Sequence, residues 1–303
     1  MMGLSSYISD LYGKATIPDP RTQDWLLVPT IWPTLAIVTT YLVVILGGQR
    51  LMKHREPFQL KTPMMVYNFC LVLLNAYIFY EFLVTTWLNP HFSKVCNTLE
   101  QGTIDSDRLA DACWWFFFSK SIELIDTVFF MLRKKDNQIS FLHLYHHSTM
   151  PLIWRVGVKF APGGEGYFSA SINSGIHVLM YTYYFMSALG PQYQKYLWWK
   201  RYMTVMQLIQ FWMILFHTSY AIYSDCGYPN MYNWSLIFYV FTHIALFSNF
   251  YYQTYTKKKS SAHVKKTDQN GHTEPVTNGH VANGVSDSST GSPTKARLRP
   301  RKD

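Results

Sequence analysis

The sequence predicts an all-α, polytopic membrane protein with seven transmembrane helices. Three observations predict it. Apolar stretches near the ~20 residues that a helix needs to cross the hydrocarbon core recur seven times. The composition, 49% hydrophobic and 17% aromatic against 15% charged over 303 residues, is too apolar for an ordinary soluble domain of this length. Lys and Arg gather in alternate connections, as spans that alternate in direction require. The modest mean hydropathy of -0.04 reflects a polar tail diluting an apolar front portion.

The stretches lie at 30–48, 64–88, 109–131, 139–157, 166–187, 203–224 and 233–254. The first opens on IWPTLAIVTT and follows a polar segment without the basic n-region or small-residue cleavage site of a signal peptide, so it reads as a retained span. Arg50, Lys53, Arg55 and Lys61 follow it. Arg133, Lys134 and Lys135 follow the third span, Lys195, Lys200 and Arg201 the fifth, and Lys257, Lys258 and Lys259 the seventh. All of these fall on one side, which places the N-terminus outside the cytosol and the C-terminus within it. Lys14, Arg21, Lys94, Arg108, Arg155 and Lys159 lie near the opposite side and weaken the contrast. The chain thus divides into a non-cytosolic segment 1–29, a membrane domain 30–256 and a tail 257–303 whose polar composition predicts disorder.

Cys70 and Cys113 fall within spans, and Cys96 and Cys226 in the loops after spans two and six, both non-cytosolic in this topology. A disulfide is chemically permitted there, and two separate thiols fit the sequence as well. The sequon Asn233-Trp234-Ser235 abuts span seven and is too close to the bilayer for glycosylation.

Polar groups at membrane depth are costly and usually face a cavity or one another. Span three carries KSIELIDT, with Lys120, Glu123 and Thr127 on one helical face and Asp126 about a third of a turn away. Span four opens on FLHLYHHSTM, whose H-x-x-H-H spacing puts His143, His146 and His147 on one side. In span five NSGIHVLMY spaces Asn173, His177 and Tyr181 one turn apart, and in span six TVMQLIQF aligns Thr204, Gln207 and, approximately, Gln210. With alternating span direction, all four clusters fall in the cytosolic half or near the midplane, which points to one shared polar chamber open toward the cytosol. Interhelical hydrogen bonding would account for isolated amides. It accounts poorly for Lys, Glu, Asp and four His together.

Three chemistries fit such a chamber. Imidazoles one turn apart are metal ligands, but membrane di-iron oxygenases need several histidine boxes, and here one box stands beside scattered His177, His217 and His243, so no metal is expected. A seven-span receptor, or a transporter, shares the topology, yet D-R-Y after span three and N-P-x-x-Y in span seven are absent. Acyl transfer remains, with a neutral histidine as nucleophile or general base.

KSIELIDTVFF, HLYHH, NSGIHVLMY and TVMQLIQF, in this order and spacing, resemble the elongases of very-long-chain fatty acids. The resemblance spans about residues 25–256, and HHSTM with the two-glutamine TVMQLIQF is most similar to the polyunsaturated and very-long-chain branch. It implies a 3-ketoacyl-CoA synthase of the endoplasmic reticulum that condenses a long acyl-CoA with malonyl-CoA, with no cofactor beyond these substrates. It also implies a ring of spans two to seven around an acyl tunnel, span one packed outside, and a disulfide between Cys96 and Cys226. Membrane lipid and the other enzymes of the elongation cycle are the implied partners; a homo-oligomer is compatible and no nucleic acid is expected. The tail ends RLRPRKD, with Arg299 and Arg301 where a dilysine retrieval signal would carry lysines.

Within that frame His146 is the expected acyl acceptor, with His177 facing it as base or oxyanion partner and His143 and His147 setting its tautomer. Asn173, Gln207 and Gln210 can donate to carbonyl or enolate oxygens. Lys120 is a counter-charge for the malonyl carboxylate or simply the partner of Glu123. Arg133, Lys134, Lys135, Lys195, Lys200 and Arg201 suit coenzyme A phosphates, although the positive-inside rule accounts for the same charges. Phe216, His217 and Tyr220, one to three turns beyond Gln210, are the candidates for the floor of the tunnel, with Ser219 beside them, and Phe216 is equally suited to pack against a neighbouring helix or lipid.

Overall fold

A computed structural model describes residues 16–99 and 101–257. The proposed tail beyond Lys257 and residues 1–15 of the N-terminal segment lie outside the described residues. Eight α-helices carry the described chain: α1 (Trp32–Met52), α2 (Lys61–Phe82), α3 (Ile104–Ile122), α4 (Ile125–Leu132), α5 (Phe141–Phe160), α6 (Gly166–Leu189), α7 (Lys200–Tyr223) and α8 (Asn230–Tyr251). Among the described residues there is no strand.

Among the described residues three helical segments are long and apolar enough to cross a membrane by length and composition: Trp32–Met52, Lys61–Trp87 and Lys200–Tyr223, with mean hydropathies of 1.6, 1.7 and 1.3. The second is α2 continued through one wide turn, Leu83–Trp87, where Thr85 and Thr86 donate to the carbonyls of Glu81 and Phe82. The stretch expected as a third continuous span is instead broken. α3 ends at Ile122 and α4 begins at Ile125, so Glu123 and Leu124 sit in the interruption.

Caps set the phase of the functional helices. Thr103 and Ser106 form a reciprocal capping box at the start of α3. Ser140 accepts from the backbone N–H of His143 at 3.2 Å, which places His143 in the first turn of α5 and fixes where His146 and His147 emerge. Pro151 lies inside α5 and, lacking an N–H, leaves the carbonyl of His147 without its helical donor.

α2 packs most extensively on α6, α6 on α7, α7 on α8, α8 on α5, α5 on α3 and α3 on α2. α1 packs on α4 and α5 through Tyr41 and Ile45, against Leu124 and Met131. The main core joins Ile78, Phe82, Phe116, Phe117, Tyr167 and Ile214. Ahead of α1, residues 19–30 cross the end of the bundle opposite the histidine box. Arg155 donates to the carbonyls of Val28 (2.6 Å) and Thr30 (3.2 Å), Lys159 to that of Pro29 (2.7 Å), and Val28 is fully buried. At the same end a disulfide joins Cys96 and Cys226.

Candidate active site

The break between α3 and α4 is lined with polar side chains. Lys120, Glu123, Asp126 and Thr127 are all buried. Lys120 Nζ lies 2.9 and 3.1 Å from the two carboxylate oxygens of Glu123 and 4.5 Å from the centre of the Phe116 ring. An unpaired charge at this depth would be prohibitively desolvated, and the pair meets that cost only with good geometry and further polar partners.

α6 brings those partners. Its His177 Nδ1 is 3.1 Å from Lys120 Nζ and 3.2 Å from Glu123 Oε1. One turn on, Tyr181 donates to Asp126 Oδ2 at 2.7 Å. Asn173, one turn before, is buried with an Oδ1 that has no partner among the described residues. A buried amide oxygen left open in this way is suited to a guest molecule.

α5 closes the site from the other side. His143 Nε2 is 2.8 Å from Thr127 Oγ1, which is 3.0 Å from the hydroxyl of Tyr41 on α1. His147 stacks obliquely on His143, ring centres 4.2 Å apart. His146 turns the other way, its Nδ1 3.2 Å from Nε2 of His243 on α8. Between α5, α6, α7 and α8 runs a narrow cavity of about 40 Å³, lined by His146, Met150 and Trp154 in succession along α5 and by Asn173, Gln210 and Ile214 opposite.

The structure thus gathers His143, His146, His147, His177, Lys120, Glu123, Asp126, Asn173, Tyr181 and Gln210 around one region. Gln207 does not line this cavity; its nearest partner is the sulfur of Met180 at 3.9 Å. The expected tunnel floor on span six is also corrected. Phe216 (68% exposed), Ser219 and Tyr220 point out of the bundle, and the buried face of α7 runs through Gln210, Phe211, Ile214, Leu215 and Thr218. His217 alone of the expected floor turns inward, stacked on Phe168 with ring centres 3.9 Å apart.

Among the basic residues, Lys134 adopts a left-handed backbone (φ 54°) and binds the carbonyls of Lys53 and Arg55. Arg133 reaches the sulfur of Met64, and Arg201 holds the hydroxyl of Tyr251. Lys135, Lys195 and Lys200 are exposed. His243 and Tyr41 escaped the sequence reading as parts of the site, as did Tyr67, whose hydroxyl donates to the carbonyl of Ile122 at the break, 3.2 Å away. A lone polar residue on an apolar helix gives no periodic signal until the neighbouring helix is placed.

The family model described as the GNS1/SUR4 family (ELO) matches residues 26–263. The chain is 46% identical over 274 residues to very long chain fatty acid elongase 4 of Mus musculus, covering 90% of this chain and 85% of the mouse protein. To the Homo sapiens protein of the same name it is 46% identical, with coverages of 90% and 84%. To very long chain fatty acid elongase 5 of Tachysurus fulvidraco it is 43% identical over 279 residues, with coverages of 92% and 93%.

Proposed function

The chain belongs to the ELO family (GNS1/SUR4), and on that premise we propose how its residues divide the reaction. It is a very-long-chain fatty acid elongase, a 3-ketoacyl-CoA synthase that joins a long acyl-CoA to malonyl-CoA with loss of carbon dioxide. In our reading His146 attacks the thioester carbonyl, coenzyme A leaves, and the acyl chain rests on the imidazole. Malonyl-CoA then loses carbon dioxide, and its enolate takes the acyl group from His146. Asn173 and Gln210 hold the carbonyl and enolate oxygens, and His177, steadied by Lys120 and Glu123, faces the reacting carbons. His143 and His147 hold the box in place through Thr127. Tyr181 and Asp126 brace α6 against the break. The reaction balances without a metal or other cofactor.

The observation that carries this reading is the narrow cavity that begins at His146 and passes the open Oδ1 of Asn173. The walls beyond His146, which include Met150, Trp154 and Ile214, are largely apolar, so an acyl chain entering here must widen a space of about 40 Å³, and the same walls exclude water from an acyl-imidazole. The succession of packed neighbours, α2, α6, α7, α8, α5 and α3, supports a ring around that slot, with α1 outside and the α3–α4 pair counted as one of seven spans. The disulfide supports an oxidising, lumenal location for its end and hence a cytosolic histidine box, in the endoplasmic reticulum. Coenzyme A phosphates then meet the rim that carries Arg133, Lys135, Lys195, Lys200 and Arg201, with Lys134 shaping the loop beside it. The HHSTM box favours polyunsaturated chains. A 3-ketoacyl product must next be reduced and dehydrated, so enzymes of those classes are the natural partners, and the exposed helix faces leave room for a second copy.

The acyl-enzyme is tested with microsomes expressing the full chain. Acyl-CoA alone releases a stoichiometric burst of coenzyme A from wild type and none from His146→Gln, whose condensation with labelled malonyl-CoA falls by at least about 10³-fold. Normal turnover by that variant would remove His146 from the nucleophile's role. The cavity also predicts product length. Ile214→Trp shortens the products by filling the slot, whereas Phe216→Trp on the outer face leaves them unchanged. Equal product spectra from the two variants would move the acyl chain elsewhere.

A further inference from the structure

His243 lies on α8, outside every motif that carries the family reaction. It is 1% exposed, and the rings around it belong to Tyr145, His146, Phe211, Tyr239 and Phe247, none of them an acid. Its Nδ1 stands 2.9 Å from the carbonyl oxygen of Tyr239, one turn earlier on the same helix. A carbonyl only accepts, so this Nδ1 carries the proton. Thr242 Oγ1, 3.5 Å from the same nitrogen, already donates to that carbonyl at 2.7 Å and does not compete as a donor to the ring.

Before acyl-CoA enters, a charged imidazolium among these rings would have no counter-ion, so the resting form is neutral and Nε2 keeps its lone pair. That Nε2 faces His146 Nδ1 at 3.2 Å. Two lone pairs would repel, so His146 Nδ1 carries a proton and donates it. The lone pair of His146 is thereby left on Nε2.

We propose that His243 is a positioning residue for the acylation of His146, holding it in the tautomer whose Nε2 attacks and accepting its Nδ1 proton as the acyl group arrives. The inference rests on His146 being the acyl acceptor. The step balances: the Nε2–carbonyl carbon bond forms, the carbon–sulfur bond breaks, the Nδ1 proton moves to His243 Nε2, and coenzyme A leaves as a thiolate whose negative charge is the counter-charge to the imidazolium formed with it. When the enolate later takes the acyl group, the electron pair returns to His146 and the same proton returns to Nδ1. His243 ends neutral and ready for another turnover.

The test uses the purified full chain with arachidonoyl-CoA alone, measuring the rate of the coenzyme A burst, and then with malonyl-CoA for steady-state constants. His243→Phe keeps the ring volume and removes the acceptor; it slows the burst roughly 10- to 100-fold, with the fall in kcat and little change in KM for the acyl-CoA. His243→Gln restores an acceptor without a base, and its burst lies between those of wild type and His243→Phe. Histidine ¹⁵N solid-state NMR of the wild type, with His146 assigned by its loss in His146→Gln, shows protonated Nδ1 and bare Nε2. A wild-type burst in His243→Phe, equal bursts in the Phe and Gln variants, or an Nε2-protonated His146 would each overturn the inference. The parent reading fails separately, if wild type gives no burst or carries the acyl group elsewhere.

Discussion

The two ends of this helical bundle satisfy buried polar groups in opposite ways. At the histidine end, side chains answer side chains across helices: Lys120 with Glu123 and His177, Tyr181 with Asp126, Thr127 with His143 and Tyr41, His146 with His243. At the disulfide end, side chains mostly answer backbone: Arg155 and Lys159 hold the carbonyls of residues 28–30, Glu165 accepts the N–H of Asn97, and Tyr167 donates to the carbonyl of Lys94, with the cluster of Arg21 and Gln101 around Asp19 the exception. Backbone partners cannot change rotamer or ionise, so the second end is built to hold. Side-chain partners can exchange protons, and the Asn173 oxygen is left open, so the first end carries the groups that the proposed reaction needs.

Breaking the pair at the reactive end gives the largest effect. Glu123→Gln leaves Lys120, 2% exposed, without its counter-charge, and is expected to cost about 3–5 kcal/mol along with most of the activity. Thermal unfolding in detergent measures it. Glu81→Gln is the control. Its bridge to Arg108 at 2.9 Å is partly open to the surroundings, and its loss should cost under about 1 kcal/mol. Equal losses in the two variants would erase the distinction between a dry reactive pair and an ordinary one.

At the other end the disulfide closes a loop of 130 residues. Its removal by Cys96→Ser with Cys226→Ser should lower stability by about 2–4 kcal/mol while the folded fraction keeps its specific activity. A fall in kcat with stability intact would show that the holding end also shapes the chemistry. Non-reducing electrophoresis of a chain cut between the two cysteines should keep the pieces together.

The reactive end was far more legible in the sequence than the holding end. Ionisable residues at membrane depth announce themselves, and one-turn spacing assigns them to a face, so most of the histidine end followed from four short motifs. Phase was harder. Gln207 and Gln210 are about 60° apart on a helix, and only packing against α6 and α8 selects Gln210 for the cavity. The same ambiguity put Phe216 and Tyr220 on the inside, because aromatic side chains suit lipid and core alike. The break after Ile122 left no Gly or Pro to mark it. His243 gave no such signal beyond standing apart from the box, since its partner there is His146, 97 residues away. The strap of residues 19–30 was equally silent, because its anchors are carbonyls that every residue carries.

The smallest expected effect sharpens the comparison from the holding end. Glu165 sits just before α6, 3% exposed, with one backbone donor on Oε1 and no hydrogen bond on Oε2, 3.6 Å from His217 Nδ1. Burial pushes its carboxyl from the ordinary 4.5 up to about 7, against the pull of the Asn97 N–H. A raised carboxyl pKa means that the folded chain binds the proton more tightly than the unfolded one. The associated stability is therefore present in full below about pH 4.5 and is lost as pH rises toward 7. Asp19, at the same end, runs the other way: burial opposes it, yet hydrogen bonds from Arg21 hold its carboxyl below the usual range, so its contribution is lost on acidification. Glu165→Gln keeps the acceptor for Asn97 and removes the titration. It should flatten the decline in melting temperature between pH 5 and 8, a difference of about 1–2 kcal/mol after allowing for solvent near the loop. An unchanged pH profile in Glu165→Gln would mean that His217 already supplies the charge Glu165 lacks, and that the holding end, like the reactive one, balances its ions through side chains.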